Sequence, residues 1–291
     1  VIAVTGPLAG HQMDESEVYE RAVREYSRTH AREATRLQAR IKVDHPYTFL
    51  AFVGDQHLGD AGTDVARCFS EAELIAATPN MYIVTVGDML NQFVIGKLRQ
   101  ARDSARISIP DEWALVRQYL KVIAPRLVAS VGGNHDYWAA QLIGIDYFQD
   151  VLASLAPKAL YDSHDLGVTL EVGGHDFAGR IRHIWRGKSI YNITHGIERA
   201  AKWDQDFRWA VGGHTHESGL VRGFNLAGQT GVAAMVGSYK RVDPYAKMIG
   251  FPKANQSTAV VLYFDGVTGT VQGFDHLPTA VRFATLLAAA T

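Results

Sequence analysis

Apolar residues gather into three short, nearly continuous runs in the first half of the chain: Tyr47–Val53, Met81–Val86 and Arg126–Val131. Each is rich in aromatic and β-branched residues and ends at a glycine, the pattern of a strand buried on both faces. The stretches between them change period. Asp64–Ala77 places Val65, Phe69, Ala72, Leu74 and Ile75 at helical spacing and is broken by Pro79-Asn80. Pro110 opens another such stretch, with Trp113, Leu115, Val116, Tyr119, Leu120 and Ile123 on its apolar face, and Pro125 stops it. Both are expected as helices. Successive strand–helix units imply parallel strands joined by right-handed crossovers. A further helix is expected over Tyr137–Leu155.

The flanks differ. Val1–Met13 reads as irregular, and Asp14–Lys42 is charged and free of Gly and Pro. Asp14 and Glu17 suit a capping box, and Val18, Ala22, Tyr26, Leu37 and Ile41 form a thin stripe. This predicts a long solvated helix or a pair of helices. Beyond Leu155 the pattern turns β-rich, with strands expected at Val168–Val172, Phe177–Trp185, Gly219–Phe224, Val232–Val236 and Ala259–Phe264. Residues 278–291 read as a closing apolar helix. The expected organisation is an extension over residues 1–44 and a single domain over 45–291.

Composition narrows the function classes. The chain of 291 residues is 47% hydrophobic and 20% charged, ordinary for a globular protein. A net charge of −1 offers no global field for nucleic acid or anionic lipid. Cys68 is the only cysteine, so an intrachain disulfide is excluded and a buried inert thiol is expected. No apolar run reaches the roughly 18 residues of a membrane span. The start has no basic segment leading into an apolar core, so a cytoplasmic protein without membrane contact is expected.

Chemistry concentrates where the strands end. Gly54-Asp55-Gln56-His57 follows the first strand, Gly87-Asp88 to Asn91 the second, and Gly133-Asn134-His135-Asp136 the third. Thr194-His195-Gly196 and Gly213-His214-Thr215-His216 come later. Open α/β sheets bind ligands at the carboxyl ends of their strands. A mixture of Asp, Asn and His suits divalent metals of intermediate softness.

In this order, the five stretches resemble the calcineurin-like metallophosphoesterase superfamily, over roughly residues 49–237. The resemblance implies an α/β fold, a four-layer α/β/β/α sandwich with two mixed sheets. It also implies two divalent transition-metal ions, manganese first, with iron, zinc or nickel as alternatives. Asp55, His57 and His216 would hold one ion, Asn134, His195 and His214 the other, and Asp88 both. A hydroxide between the ions would attack phosphorus, and His135 would protonate the leaving oxygen. His164, His175 and His183 fall outside these stretches and are expected as packed or surface residues.

The second stretch departs from the family's protein phosphatases, which carry Gly-Asp-x-x-Asp-Arg-Gly. Asn91 stands where an acidic partner of the catalytic His would be, and Gln92 where a phosphate-clamping Arg would be. A neutral amide would orient His135 without raising its pKa. The expected activity is a phosphoric ester hydrolase of the general bacterial and phage type, acting on a phosphorylated small molecule, phosphoprotein or nucleic acid. A repair-type nuclease and a non-catalytic scaffold are the alternatives. Asp136 is expected as a helix N-cap. Arg180, Arg182, Arg186 and Lys188, and the stretch Gly237–Tyr245 with Lys247 and Lys253, are candidate basic lips. Tyr191, Tyr239 or Tyr245 are candidate base-stacking residues.

Overall fold

The alternation within the first buried run decides the layering. In the computed structural model, which describes residues 15–36, 39–92, 107–187, 189, 191–204, 207–226, 229–241 and 257–290, all of Tyr47–Val53 is buried. Tyr47, Phe49, Ala51 and Val53 point to one side, and Leu50 and Phe52 to the other. Each side has its own core.

The strands are β1 (Ala39–Val43), β2 (Tyr47–Val53), β3 (Met81–Val86), β4 (Leu127–Val131), β5 (Leu160–Asp162) and β6 (Asp165–Val172). They continue as β7 (His175–Arg182), β8 (Trp209–Gly212), β9 (Leu220–Leu226), β10 (Gln229–Met235), β11 (Val260–Asp265) and β12 (Thr270–Phe274). The described helices are α1 (Glu15–Arg36), α2 (Val65–Ala77), α3 (Ile109–Ile123), α4 (Asn134–Ile143), α5 (Tyr147–Leu155), α6 (His195–Asp204) and α7 (Leu277–Ala290).

Two mixed sheets result. The first runs β12-β11-β2-β3-β4-β5, with β2 to β5 parallel and β11 antiparallel to β2. The second runs β1-β6-β7-β8-β10-β9, with β7, β8 and β10 parallel. Helices α2, α3, α5 and α7 cover the outer face of the first sheet through Ile75, Val116, Leu120, Phe148, Leu152 and Ala280. Leu50, Phe52, Val84 and Val131 meet Leu170, Phe177, Trp209 and Val211 between the sheets. Ile197 and Ala201 of α6 pack on Ala210, Ala233 and Met235 of the second sheet. The molecule is the expected α/β/β/α sandwich.

The departures have local causes. Residues 39–42 were expected to be helical, and 39–43 fall within the expected 1–44 extension; they form β1, which pairs in parallel with β6. Ala-Arg-Ile-Lys-Val alternates, so Arg40 and Lys42 face outward onto Glu171 and Asp176 while Ile41 packs inward. The helix expected over 137–155 is two, parted at Gly144, whose φ of 73° ends α4. Strand β8, only four residues long, is too short for its pattern to be read ahead of the fold. Among the described residues no helix is long and apolar enough to cross a membrane.

Candidate metal centre

Because β2, β3 and β4 are parallel, the segments that follow them emerge at one edge. Asp55 and Asp88 each lie just past the end of a strand, and Asn134 opens α4. The strands β7 and β8 of the second sheet deliver His183, His214 and His216. The backbone there is unusual. Six described non-glycine residues have positive φ, and five are Asp55 (50°), His57 (44°), Asp88 (53°), His214 (71°) and His216 (54°). Such conformations are sparse outside glycine, though Asp, Asn and His tolerate them best.

The loops are stitched to one another. Asp55 N–H donates to the Gly87 carbonyl at 2.9 Å, His57 N–H to that of Asp88 at 3.0 Å, and Leu58 N–H to that of Met89 at 2.9 Å. His214 N–H donates to the Asp55 carboxylate at 2.9 Å, tying the two sheets together. At Gly133 a Cβ would lie 2.1 Å from Asp88 Oδ1, so only glycine lets the two loops approach.

Two donor groups result, with Asp88 common to both: Asp55, His57, Asp88 and His216, and Asp88, His183 and His214. In each, one ligand atom per residue lies within 4.8 Å of all the others. His57 Nε2 and His216 Nε2 face each other at 2.8 Å, and His216 Nε2 is 3.3 Å from Asp55 Oδ1. His183 Nε2 lies 3.1 Å from Asp88 Oδ2.

Asp88 Oδ2 and His183 Nε2 are buried with only each other at close range, and the nearby Asn134 Oδ1 is buried with no hydrogen-bond partner. Buried polar atoms are normally satisfied, and leaving one bare is unfavourable. Convergent, unsatisfied N and O donors fit divalent transition ions.

Electrostatics follow the packing. Burial drives the His57 imidazole well below its ordinary pKa, with His135 and His216 adding to the effect. Burial would also lower His183, but the Asp88 carboxylate overrides it and raises the group to about 10. Burial opposes ionisation of Asp88, yet His183 holds its carboxyl well below the usual range. His216 is lowered by burial and raised on balance by Asp55.

The second group corrects the expectation for His195. That residue opens α6 with an exposed side chain and belongs to neither donor group. Just before it, the Thr194 hydroxyl donates to the Glu198 carboxylate at 2.6 Å, within the first turn of the helix. His183, expected as a packed or surface residue, stands in the place proposed for His195. Its Nδ1 donates to the Val86 carbonyl at 2.7 Å, which fixes the tautomer and turns Nε2 toward Asp88. The available signal was position, directly after an alternating strand at the common edge.

His135 lies over the shared carboxylate. Its backbone N–H donates to Asp88 Oδ1 at 2.9 Å, and its Nε2 is 3.9 Å from Asp88 Oδ2. The ring lies against Trp138, centroids 4.1 Å apart, and edge-on to His57 at 4.6 Å. Burial lowers its pKa, partly offset by Asp88. Its Nδ1 donates to the backbone carbonyl of Asn91 at 2.6 Å. The expectation that the Asn91 amide orients this ring is therefore replaced by the main chain of the same residue. Asp136 caps α4 by accepting from Gly133 N–H at 2.9 Å, and it also accepts from Leu90 N–H at 3.0 Å.

The basic lips fare differently. Arg180 and Arg182 both engage Asp165, and Arg182 lies over the Trp185 ring at 5.0 Å. Tyr239 is buried, with its hydroxyl donated to Glu71 at 2.8 Å, so it offers no stacking face. Tyr191 is exposed. Lys188, Tyr245, Lys247 and Lys253 lie outside the described residues.

No family model matches the chain, and no curated protein matches it. Among solved structures it is similar to the calcineurin-like phosphoesterase YfkN from Bacillus subtilis, with 12% identity, 78% of this chain and 90% of that one covered, and a TM-score of 0.33. It is also similar to nuclease MPE from Pseudomonas putida, at 17% identity over 77% of this chain and 87% of that one, TM-score 0.36. A third similar structure is TT1561 of Thermus thermophilus, at 9% identity over 78% of this chain and 98% of that one, TM-score 0.43.

Proposed function

We propose that the chain is a dinuclear metal-dependent phosphoric ester hydrolase. The observation that carries this reading is a pair of buried N/O donor groups sharing one carboxylate, Asp88, with His135 beside them. Asp55, His57 and His216 would hold one divalent ion, Asn134, His183 and His214 the other, and Asp88 both. When bound, such ions supply charge stabilisation to phosphoryl oxygens and lower the pKa of water.

The chain's own residues do the rest. Left-handed backbone at Asp55, His57, Asp88, His214 and His216 presents the donors before any substrate arrives. With Nδ1 of His135 committed to the Asn91 carbonyl, Nε2 is the atom left to deliver a proton to the departing oxygen. Nε2 carries a proton only in the imidazolium, and burial, which lowers the pKa of the ring, makes that cation the stronger acid. Nothing in this arrangement selects monoester over diester, and small phosphate esters and nucleic acid both remain within the proposal.

The test is turnover of p-nitrophenyl phosphate, bis(p-nitrophenyl) phosphate and single-stranded DNA by the full chain with manganese. At least one should be hydrolysed, and Asp88→Ala should lose at least about 100-fold on whichever it is, the scale set by removing an electrostatic element of a site. Inactivity of the wild type on all three, or undiminished activity in Asp88→Ala, overturns the reading.

A further inference from the structure

Glu112 is a carboxylate with no place in the donor groups, yet it is only 6% exposed. It lies in the first turn of α3, where the helix dipole favours negative charge. One oxygen, Oε1, accepts from both Asn91 N–H and Gln92 N–H, each at 3.1 Å. Gln92 N–H belongs to the same peptide unit as the Asn91 carbonyl. That unit is planar and trans, so its N–H and C=O point in opposite directions. On one side it meets Glu112, and on the other the Nδ1 of His135 at 2.6 Å. A carboxylate, a peptide and an imidazole thus stand in line.

A second observation pins the same side chain. Gly59, on the loop after β2, has φ 108°, and a Cβ there would lie 2.0 Å from Glu112 Cγ. The stem of Glu112 therefore passes through a gap that only glycine leaves open. It is held against one donor-bearing loop and hydrogen-bonded to the other.

We propose that Glu112 is the positioning residue of His135, acting through the Asn91–Gln92 peptide. This rests on the hydrolase reading. The sequence has Asn91 where a carboxylate would face the histidine directly. Glu112 supplies a hydrogen-bond acceptor one peptide further away. Its hydrogen bond fixes the plane of the peptide and polarises its oxygen, strengthening the bond to Nδ1–H. The ring is then held with Nε2 turned to the leaving oxygen.

Leaving-group dependence separates this role from general support of the fold. p-Nitrophenolate departs without a proton, whereas phenolate needs one. The full chain with manganese is assayed on p-nitrophenyl and phenyl phosphate. If the wild type cleaves only diesters, bis(p-nitrophenyl) and diphenyl phosphate replace the pair, and if it turns over neither monoesters nor diesters nor single-stranded DNA, the hydrolase reading fails first and this inference falls with it. Given wild-type turnover, Glu112→Ala should lower kcat for phenyl phosphate about 100-fold more than for the nitrophenyl ester, the scale of a general acid's contribution. Glu112→Gln, which keeps the acceptor, should restore the ratio. Proton NMR of the protein without added metal gives an independent readout. The His135 Nδ1–H resonance should lie far downfield in wild type and Glu112→Gln, and shift upfield or vanish in Glu112→Ala. If Glu112→Ala does not fold, the shortened Glu112→Asp reads the same ratio and the same proton. Equal losses on both esters, or an unmoved ring proton in the variant that folds, overturn the proposal.

Discussion

Two histidines twelve positions apart reach opposite ends. His183 leaves β7 with Nδ1 bonded to the Val86 carbonyl and Nε2 3.1 Å from Asp88, whereas His195 sits exposed on the first turn of α6. His183→Ala should weaken manganese binding by at least about 10-fold, since even residues that only support metal ligands have effects of that size. His195→Ala should leave the affinity unchanged, and titration calorimetry of each variant checks both outcomes. Asp55, His57, Asp88, His214 and His216, which the structure brings into the donor groups, each stand within three residues after a glycine that closes an apolar run, and that marker made them candidates in the sequence. His183 carries no such marker: Arg182 precedes it and Ile184 follows, so strand and site merge. Its role depends on β7 lying beside β8 in the second sheet, a pairing between residues far apart in sequence. Glu112 was hidden for the same reason, as one acidic residue in an amphipathic helix.

At the scale of elements, periodicity succeeded where both faces of a strand are covered. β2 and β3 run over the residues the pattern marked. It failed at β1, where a strand of half-charged sequence directly follows a charged helix. The hairpin of β6 and β7 is joined by more than its ladder. Asp165 receives Arg180 at 2.9 Å and Arg182 at 2.6 Å. Burial would raise its carboxyl, but the guanidiniums prevail and hold it at about 2, against 3.8 ordinarily. A carboxyl depressed by folding stabilises the protein above the unfolded value and loses that effect as pH falls through the folded one. Asp165→Asn should therefore lower the urea midpoint at pH 7, and the two midpoints should converge between about pH 4 and pH 2. A gap that stays constant over that range would contradict the assignment.

Across the whole molecule, the sheets each bring half of the centre. Asp55, His57, Asp88, Asn134 and His135 follow strands of the first, and His183, His214 and His216 follow strands of the second. The spacing of the halves is set by the core between the sheets, where Trp209 packs on Phe52 and Phe264 and donates its indole N–H to the Phe177 carbonyl at 3.1 Å. Gly179 lies beneath the indole, and a Cβ there would come within 1.9 Å of it. Gly179→Ala should destabilise the fold by about 1–3 kcal/mol, as overpacking does. It should also weaken manganese binding, although the substitution touches no donor. Thermal melts and calorimetry test the pair, and a destabilised variant with undiminished affinity would uncouple core from centre.

The five left-handed donor residues have a consequence for how this molecule could change over time. An L-residue held at such φ is disfavoured by roughly 1 kcal/mol or more, and glycine is not. Replacing His214 or His216 by glycine would thus relax the main chain while deleting a donor. The fold would become sturdier by giving up its chemistry, so drift left unchecked by selection would tend toward a stable, silent sandwich.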